Sequence, residues 1–166
     1  RVLMSKLKRS TLAAQALGWR DSTTGSLVPP LIASVPYERA ADGSYTAGRI
    51  YTRDQNPTYD QAEALLAELE GGAGAMLFSS GMAAATTVLE VLESGSHVVA
   101  QRNMYWTIRQ WLKDLAAAGR ISLDLVPNGN LEFLKSVIRP GETKIVWIET
   151  PANPTCEITD IAASAK

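Results

Sequence analysis

The feature that most limits how this chain can fold is an alternation of short apolar runs with helical patterns after residue 74. The apolar runs are residues 75–78, 97–100, 121–126 and 144–149, and the helical patterns between them are residues 82–93, 105–117 and 131–138. Such alternation is typical of βαβ units, in which parallel strands lie side by side beneath helices. The sequence therefore predicts an α/β fold with a mainly parallel sheet flanked by helices.

A further helix is predicted ahead of the first apolar run. Asn56 suits the N-cap and Pro57 the first helical position, where amides lack intrahelical partners. Apolar residues at positions 62, 65, 66 and 69 share one face, and Gly71 and Gly72 end the pattern. We expect a helix that begins at Pro57 and ends before Gly71.

Residues 1–56 have a different character. One short helical stretch at residues 11–17 is followed by turn signals at residues 21–25, 29–30 and 42–43. The segment has too few periodic apolar positions to fold alone. We expect an arm that lies on its own domain or on a partner subunit.

Composition excludes several classes of function. The 166 residues are 46% hydrophobic and carry a net charge of −1, which creates no field to attract nucleic acid or an anionic membrane. The lone Cys156 cannot form an internal disulfide, and no apolar segment approaches the roughly 20 residues of a membrane span. We expect a cytoplasmic protein. The last residues begin another helical pattern, with Thr159 or Asp160 as N-cap, and we expect the natural chain to continue beyond it.

Ligands of open parallel sheets bind beyond the carboxyl ends of the strands, which selects residues 79–82, 102–106 and 149–153. In the first of these loops, free amides at a helix start can hold a phosphate, and Gly81 lets the backbone approach it closely. The alternative is that Ser80 is only a helix cap. Tyr105 in the second loop can lie against a planar cofactor or pack within a helix face.

Polar residues elsewhere have functional and structural interpretations. Tyr51 and Arg53 point to one side if their segment is extended and can both donate to phosphate, or they are ordinary residues ahead of a helix cap. Glu149 and Asn153 lie in a proline-bracketed loop that can also simply close a turn. His97 has no metal-ligand companions, so we assign it a structural role and predict no metal site. Cys156 has no base near it in sequence and is treated as inert.

Four segments in this order resemble the Cys/Met metabolism family of pyridoxal 5′-phosphate (PLP) enzymes: residues 51–58, 78–84, the loop at Tyr105 and residues 149–154. The motifs Ser-Ser-Gly-Met-Ala-Ala and Glu-Thr-Pro-Ala-Asn-Pro carry the likeness, which covers nearly the whole chain. The family includes cystathionine γ-synthase, cystathionine β- and γ-lyases, methionine γ-lyase and O-acetylhomoserine sulfhydrylase.

The resemblance implies a three-layer, aspartate aminotransferase-like fold of type I with a mainly parallel sheet and an extended N-terminal arm. Residues 1–56 would be the arm that packs on a neighbouring subunit. Residues 57–166 would be the first part of the PLP-binding large domain, with its remainder and the C-terminal domain absent from this chain.

The resemblance also implies the cofactor contacts, which are Tyr51, Arg53, Ser80, Gly81, Met82, Tyr105, Glu149 and Asn153. The amides of Gly81 and Met82 would bind the cofactor phosphate, and Tyr51 and Arg53 would reach the phosphate of the neighbouring subunit. Active sites would thus be shared between two chains of a homo-oligomer, which we expect to be a tetramer.

The ring of the cofactor would be held by other residues. By the same resemblance, Tyr105 stacks on the pyridine ring and takes part in proton transfer as the catalytic residue of this chain. Asn153 would lie by the phenolic oxygen of the ring and the substrate, with Glu149 close by.

The family's cofactor-binding lysine belongs to a Ser-x-x-Lys motif beyond the Asp-Ile-Ala segment, and that motif is not in this chain. Its six lysines fall outside any such motif; they are Lys6, Lys8, Lys113, Lys135, Lys144 and Lys166. The aspartate for the pyridine nitrogen and the substrate-carboxylate arginine are missing too. We expect an active enzyme only when the chain is complete.

Three positions refine the expected substrate. Trp106 stands where the family commonly has glycine, Thr107 where methionine γ-lyases have cysteine, and Ile50 where some γ-lyases have glutamate. The bulky indole of Trp106 implies a pocket of different shape, and Thr107 and Ile50 argue against those lyases. We expect a cystathionine γ-synthase-like enzyme of methionine biosynthesis that joins cysteine to an activated homoserine by γ-replacement. The alternatives are a cystathionine β- or γ-lyase, an O-acetylhomoserine sulfhydrylase, or a non-catalytic piece that only binds a partner subunit.

Overall fold

The computed structural model describes residues 7–166, so the first six residues of the predicted arm, including Lys6, lie outside the described residues. The chain divides into two compact units, one ending at Phe78 and one spanning Ser79–Lys166. The helices are α1 (Arg9–Ala14), α2 (Pro57–Glu70), α3 (Gly81–Glu90), α4 (Trp106–Ala117), α5 (Leu131–Val137) and α6 (Ile161–Ser164), with a 3₁₀ turn at Ala16–Gly18. The strands are β1 (Ser96–Gln101), β2 (Ile121–Val126) and β3 (Thr143–Trp147). Of the described helices, none combines the length and apolar content that a bilayer span requires.

Helix α2 is the main element of the first unit, and it begins and ends where predicted. The Asn56 side chain accepts a hydrogen bond from the Thr58 amide at 2.8 Å, and Pro57 occupies the first turn. Gly71 ends the helix in the left-handed conformation at φ 67°, which a glycine adopts without steric cost. Both ends are set by local chemistry, which explains why they could be predicted.

The arm is tied to the start of α2 by side-chain hydrogen bonds. The Asn56 amide donates to the Ile32 carbonyl at 3.0 Å, and the Thr58 hydroxyl accepts from the Ile32 amide at 2.8 Å. The Tyr59 hydroxyl donates to the Thr52 carbonyl at 2.8 Å. Residues on both sides of position 56 therefore belong to one unit, and that unit extends to Phe78.

The predicted buried strand at residues 75–78 is wrong. The segment forms no strand, Met76 is 75% exposed, and Leu77 and Phe78 are exposed as well. A strand requires a neighbouring strand to receive its backbone hydrogen bonds and a layer to cover its face. Among the described residues, nothing pairs with this segment in the sheet.

The sheet of the second unit has the order β2–β1–β3, and both pairings are parallel. Val98 at the centre of β1 lies opposite Leu123 of β2 and Ile145 of β3. Every residue of β1 is buried, as expected for a central parallel strand covered on both faces. The predicted parallel sheet is confirmed.

Helices cover the sheet on both faces. Val98 packs in a cluster with Leu89 of α3 and Leu112 of α4, whereas Val99 packs in another with Leu134 of α5. Successive residues of a strand point to opposite faces, so α3 and α4 lie on one side of the sheet and α5 on the other. This arrangement is the predicted three-layer fold.

His97 has a structural role within the sheet. Its buried ring places Nδ1 2.7 Å from Thr143 Oγ1 and Nε2 3.0 Å from Asp124 Oδ2. The Thr143 hydroxyl oxygen already accepts from the Arg139 amide at 2.8 Å, so its proton is free to bond Nδ1. The Asp124 carboxylate can only accept, so the proton in the Nε2 contact is carried by the ring. His97 thereby connects all three strands.

Candidate cofactor site

An open cavity of about 600 Å³ lies between the start of α3, the start of α4 and the end of β3. It is lined by Ser80, Gly81, Met82, Ala84, Ala85, Val88, Tyr105, Ile108 and Trp147. The cavity belongs entirely to the second unit. Four of the eight predicted cofactor contacts meet there: Ser80, Gly81, Met82 and Tyr105.

The start of α3 provides unpaired backbone donors to this cavity. Ser80 caps the helix, because its Oγ accepts from the Ala83 amide at 3.1 Å. The amides of Gly81 and Met82 precede the first intrahelical hydrogen bond and donate to no acceptor within the described residues. A Cβ built on Gly81 would meet nothing within 4 Å, so the space beside this residue is open. Free amides at the positive end of a helix favour an anion.

Ser80 has the structural role that was one of its two predicted roles, and its predicted contact with a cofactor stays a prediction. The structural alternative is correct, because its oxygen accepts the capping hydrogen bond. That bond leaves the hydroxyl proton available to donate into the cavity that Ser80 lines.

Tyr105 lies opposite this helix start. It is the N-cap residue of α4 and makes no side-chain cap, and 43% of the residue is exposed. Ile108 and Leu112 on the same helix are buried, so the apolar face of α4 forms without the Tyr105 ring. Tyr105 lines the cavity, and its predicted contact with a planar cofactor stays a prediction.

Trp106 does not fill the cavity. It is 63% exposed and is not one of the lining residues. The lining indole instead belongs to Trp147, the last residue of β3, which the sequence analysis did not select. Trp147 precedes Glu149 by two residues at the carboxyl end of a strand, and this position is the signal that could have identified it.

Glu149 lies behind Tyr105 and outside the cavity lining. Its Oε2 accepts from the Tyr105 amide at 2.8 Å, and its Oε1 accepts from the Trp147 indole nitrogen at 3.2 Å. Its own amide donates to the side-chain oxygen of Gln101 at 2.7 Å. The Glu149 carboxylate therefore binds the backbone of Tyr105, one of the predicted cofactor contacts.

Asn153 is exposed in the turn after β3 and does not line the cavity. The turn is closed by a hydrogen bond from the Ala152 amide to the Glu157 carbonyl at 2.9 Å. The Glu157 carboxylate accepts from the Thr155 hydroxyl and the Asn103 side-chain amide, both at 2.7 Å. These hydrogen bonds stabilise its charged form and hold the pKa of Glu157 below its usual range.

Tyr51 and Arg53 lie in the first unit. The Arg53 guanidinium carbon is 5.1 Å from the centre of the Tyr51 ring. Residues 52–54 form a turn, so the two side chains meet across that turn and not along an extended segment. Both remain exposed, and their predicted contact with a phosphate stays a prediction.

Comparison with known proteins identifies the family of this chain. The sequence model of the Cys/Met metabolism PLP-dependent enzyme family matches residues 10–166. The chain belongs to this family. A cystathionine gamma-lyase of Bacillus subtilis is a relative, 38% identical over 160 residues, which are 96% of this chain and 41% of that protein.

Solved structures of the family have the same fold. The crystal structure of metB from Corynebacterium glutamicum matches with a TM-score of 0.89 and 33% identity, over 97% of this chain and 42% of that chain. A cystathionine gamma synthase from Xanthomonas oryzae pv. oryzae, in complex with cystathionine, matches with a TM-score of 0.84 and 32% identity, over 96% and 42%. The chain thus spans about two fifths of the length of these proteins.

The cavity residues fit the cofactor of the family. PLP combines a dianionic phosphate with a flat aromatic ring. The free amides of Gly81 and Met82 suit the phosphate, and the exposed ring of Tyr105 on the same cavity suits stacking on an aromatic plane.

Proposed function

We propose that the protein containing this chain is a PLP-dependent enzyme of sulfur amino-acid metabolism. In the reaction we propose, the thiol of cysteine replaces the acyloxy group at the γ carbon of an O-acylated homoserine, and this group leaves as a carboxylate, as in cystathionine γ-synthase. The observation that carries the proposal is the cavity that combines the free amides of Gly81 and Met82 with the ring of Tyr105. Methionine biosynthesis in the cytoplasm is the pathway and location that fit this reaction.

PLP, when bound, supplies an electron sink for bond changes at the amino-acid carbons. In our proposal the α3 amides and the Ser80 hydroxyl bind its phosphate, which fixes one end of the cofactor. Tyr105 would orient the ring by stacking and would exchange a proton through its own side-chain hydroxyl. Asn153, in the exposed turn after β3, would offer a side-chain amide to the phenolic oxygen of the cofactor ring and to the substrate.

Two residues of the first unit complete a site of another subunit in this proposal. Tyr51 and Arg53 offer a hydroxyl and a guanidinium on one exposed surface, and both groups donate to phosphate oxygens. They would serve the phosphate bound by a neighbouring chain. We therefore propose a homo-oligomer, a tetramer, whose active sites each use two chains.

A cystathionine lyase is the second candidate, because a cystathionine gamma-lyase is among the relatives at 38% identity. Steady-state assays of the holoenzyme with O-succinylhomoserine, O-acetylhomoserine and cystathionine separate the two. Cysteine-dependent turnover of an acylated homoserine is the expected result. Turnover of cystathionine alone would contradict the proposed replacement reaction and would support an elimination by a cystathionine lyase.

A chain that only binds a partner subunit is the non-enzymatic alternative. Borohydride reduction of the full-length protein as isolated, without added PLP, followed by mass spectrometry, tests it. PLP fixed to a lysine is expected for the enzyme, whereas an unmodified protein with no turnover would support the alternative.

A further inference from the structure

Glu149 uses both carboxylate oxygens to hold groups around Tyr105. One oxygen accepts from the Tyr105 backbone amide at 2.8 Å, and the other accepts from the Trp147 indole at 3.2 Å. Tyr105 has no side-chain cap of its own, and its carbonyl accepts from the Arg109 amide at 3.1 Å. The backbone of Tyr105 is therefore held on one side by α4 and on the other by Glu149.

Gln101 holds Glu149 in turn. It ends the central strand β1, is only 2% exposed, and accepts from the Glu149 amide at 2.7 Å. Its side-chain nitrogen donates to the buried Thr159 hydroxyl at 2.5 Å, and the Thr159 amide donates to the Thr150 hydroxyl at 3.0 Å. A buried side chain with both ends bonded is fixed in one orientation. The rigid end of β1 is thus connected to the loop that carries Glu149.

We propose that Glu149 and Gln101 are positioning residues that set where the Tyr105 ring stands in the cavity. The role of that ring toward PLP rests on the proposed function, whereas the contacts that fix its backbone are independent of it. Glu149 acts through the Tyr105 amide, and Gln101 acts through Glu149. Neither residue lines the cavity, so the proposed role of both acts through Tyr105, and the predicted contact of Glu149 with the cofactor stays a prediction.

The chemistry requires a carboxylate at position 149. Two N–H donors, from Tyr105 and Trp147, meet one side chain, and only a carboxylate offers an acceptor to each. A glutamine has one carbonyl oxygen, so its NH₂ group would face one of the two donors. Removing the indole donor with Trp147→Phe leaves a glutamine free to turn its oxygen to Tyr105. Glu149→Gln should therefore be harmful beside Trp147 and better tolerated beside phenylalanine.

The test compares wild-type holoenzyme with Glu149→Gln, Trp147→Phe and the double variant. Visible circular dichroism of bound PLP reports on the ring stacked against it, and ¹⁵N-tyrosine labelling reports on the Tyr105 amide. We expect Glu149→Gln to shift the Tyr105 amide resonance, alter the PLP dichroism and lower kcat about tenfold with a smaller change in KM, by loss of a hydrogen bond to a charged acceptor. In the Trp147→Phe background, Glu149→Gln should cause a smaller change in each of these quantities than it causes in the wild type.

Two results would overturn the proposal. One is a Tyr105 amide resonance and a PLP dichroism that do not change in Glu149→Gln. The other is a double variant in which the fold loss in kcat equals the product of the fold losses in the two single variants. Arg139→Ala serves as a control. The Arg139 guanidinium donates to Asp124 and Ser122, away from the hydrogen bonds that join Gln101, Glu149 and Tyr105. The control variant should leave the Tyr105 signals as in the wild type.

A second variant tests Gln101 and remains informative if Glu149→Gln does not fold. Gln101→Leu removes the acceptor of the Glu149 amide and should reproduce the altered dichroism and Tyr105 resonance. If this variant gave the wild-type dichroism and Tyr105 resonance, Gln101 would have no role in positioning Tyr105. If the wild-type holoenzyme turned over none of the three substrates, the proposed function would fail, but the amide resonance would still decide the positioning role.

Discussion

Asn103 and Asn128 exchange two hydrogen bonds across the carboxyl ends of β1 and β2. The Asn103 backbone amide donates to Asn128 Oδ1 at 3.0 Å, and Asn128 Nδ2 donates to the Asn103 carbonyl at 2.7 Å. The pair fixes the loop that leads to Tyr105 onto the neighbouring strand end. A side-chain amide matches a backbone amide in this way because each has one donor and one acceptor side.

Asn128→Ala should destabilise the protein by about 1–3 kcal/mol, since it leaves two backbone groups of Asn103 without their partner. Asn128→Asp keeps the acceptor for the Asn103 amide and removes the donor to the Asn103 carbonyl. It should therefore lose less stability than Asn128→Ala. Urea unfolding monitored by tryptophan fluorescence measures both. Equal stability of Asn128→Ala and the wild type would mean that water replaces the pair without cost.

Gly129→Ala should also be destabilising. Gly129 has φ +70°, and an added Cβ would lie 3.2 Å from the Ile158 carbonyl oxygen. Gly141 is a matched control, with φ +82° and nothing within 4 Å of an added Cβ. Gly141→Ala should cost about 1 kcal/mol from backbone strain alone, and Gly129→Ala should cost more. If thermal unfolding gave equal losses, the Ile158 contact would contribute nothing.

Arg53→Ala in the holoenzyme should weaken PLP retention by about 1.5–3 kcal/mol, the usual contribution of a charge-assisted hydrogen bond. Arg39→Ala is the control, because Arg39 also lies over a tyrosine ring of the first unit, at 4.4 Å from the Tyr45 centroid, and has no predicted cofactor role. Equilibrium dialysis of PLP compares the two. Unchanged affinity in Arg53→Ala would contradict the predicted phosphate contact.

Glu157 should make the turn after β3 sensitive to acid. The Thr155 hydroxyl and then the Asn103 amide lower the pKa of Glu157 from its usual 4.5. A carboxyl whose pKa is depressed in the folded state stabilises the fold above pH 4.5 and loses that contribution as pH falls through the folded value. Thr155→Val should raise the pKa of Glu157 and flatten this loss. ¹³C NMR titration of the glutamate carboxyls measures the shift; an unchanged pKa would assign the effect to Asn103 alone.

Several site features could be predicted because they depend on near neighbours in the sequence. Ser80 followed by Gly81 announces a capped helix start, and the cap and the free amides are both present. The position of Tyr105 after a strand indicated the cavity edge, since strand ends meet at one edge of a parallel sheet. The motif resemblance named the family that the sequence model then matched.

Other features depended on distant residues and were missed. The apolar run at residues 75–78 has the composition of a strand, but a strand exists only where a partner accepts its hydrogen bonds. The hydrogen bonds of Glu149 were not predicted: its two oxygens accept from donors of Tyr105 and Trp147, while its predicted place beside the cofactor stays a prediction. Gln101 carried no signal at all, because nothing local distinguishes a buried glutamine from an exposed one.

The sequence by itself determined the helix caps, the alternation of strand and helix, and the family to which the chain belongs. Each follows from local hydrogen bonding, from hydrophobic periodicity or from motif order, all of which are readable along the chain. The tertiary structure alone decided that Trp147 lines the cavity, that Gln101 holds Glu149, and that residues 76–78 stay exposed. Those outcomes depend on which groups meet across 40 or more residues, and the free energy of a buried hydrogen bond depends on its partner being present.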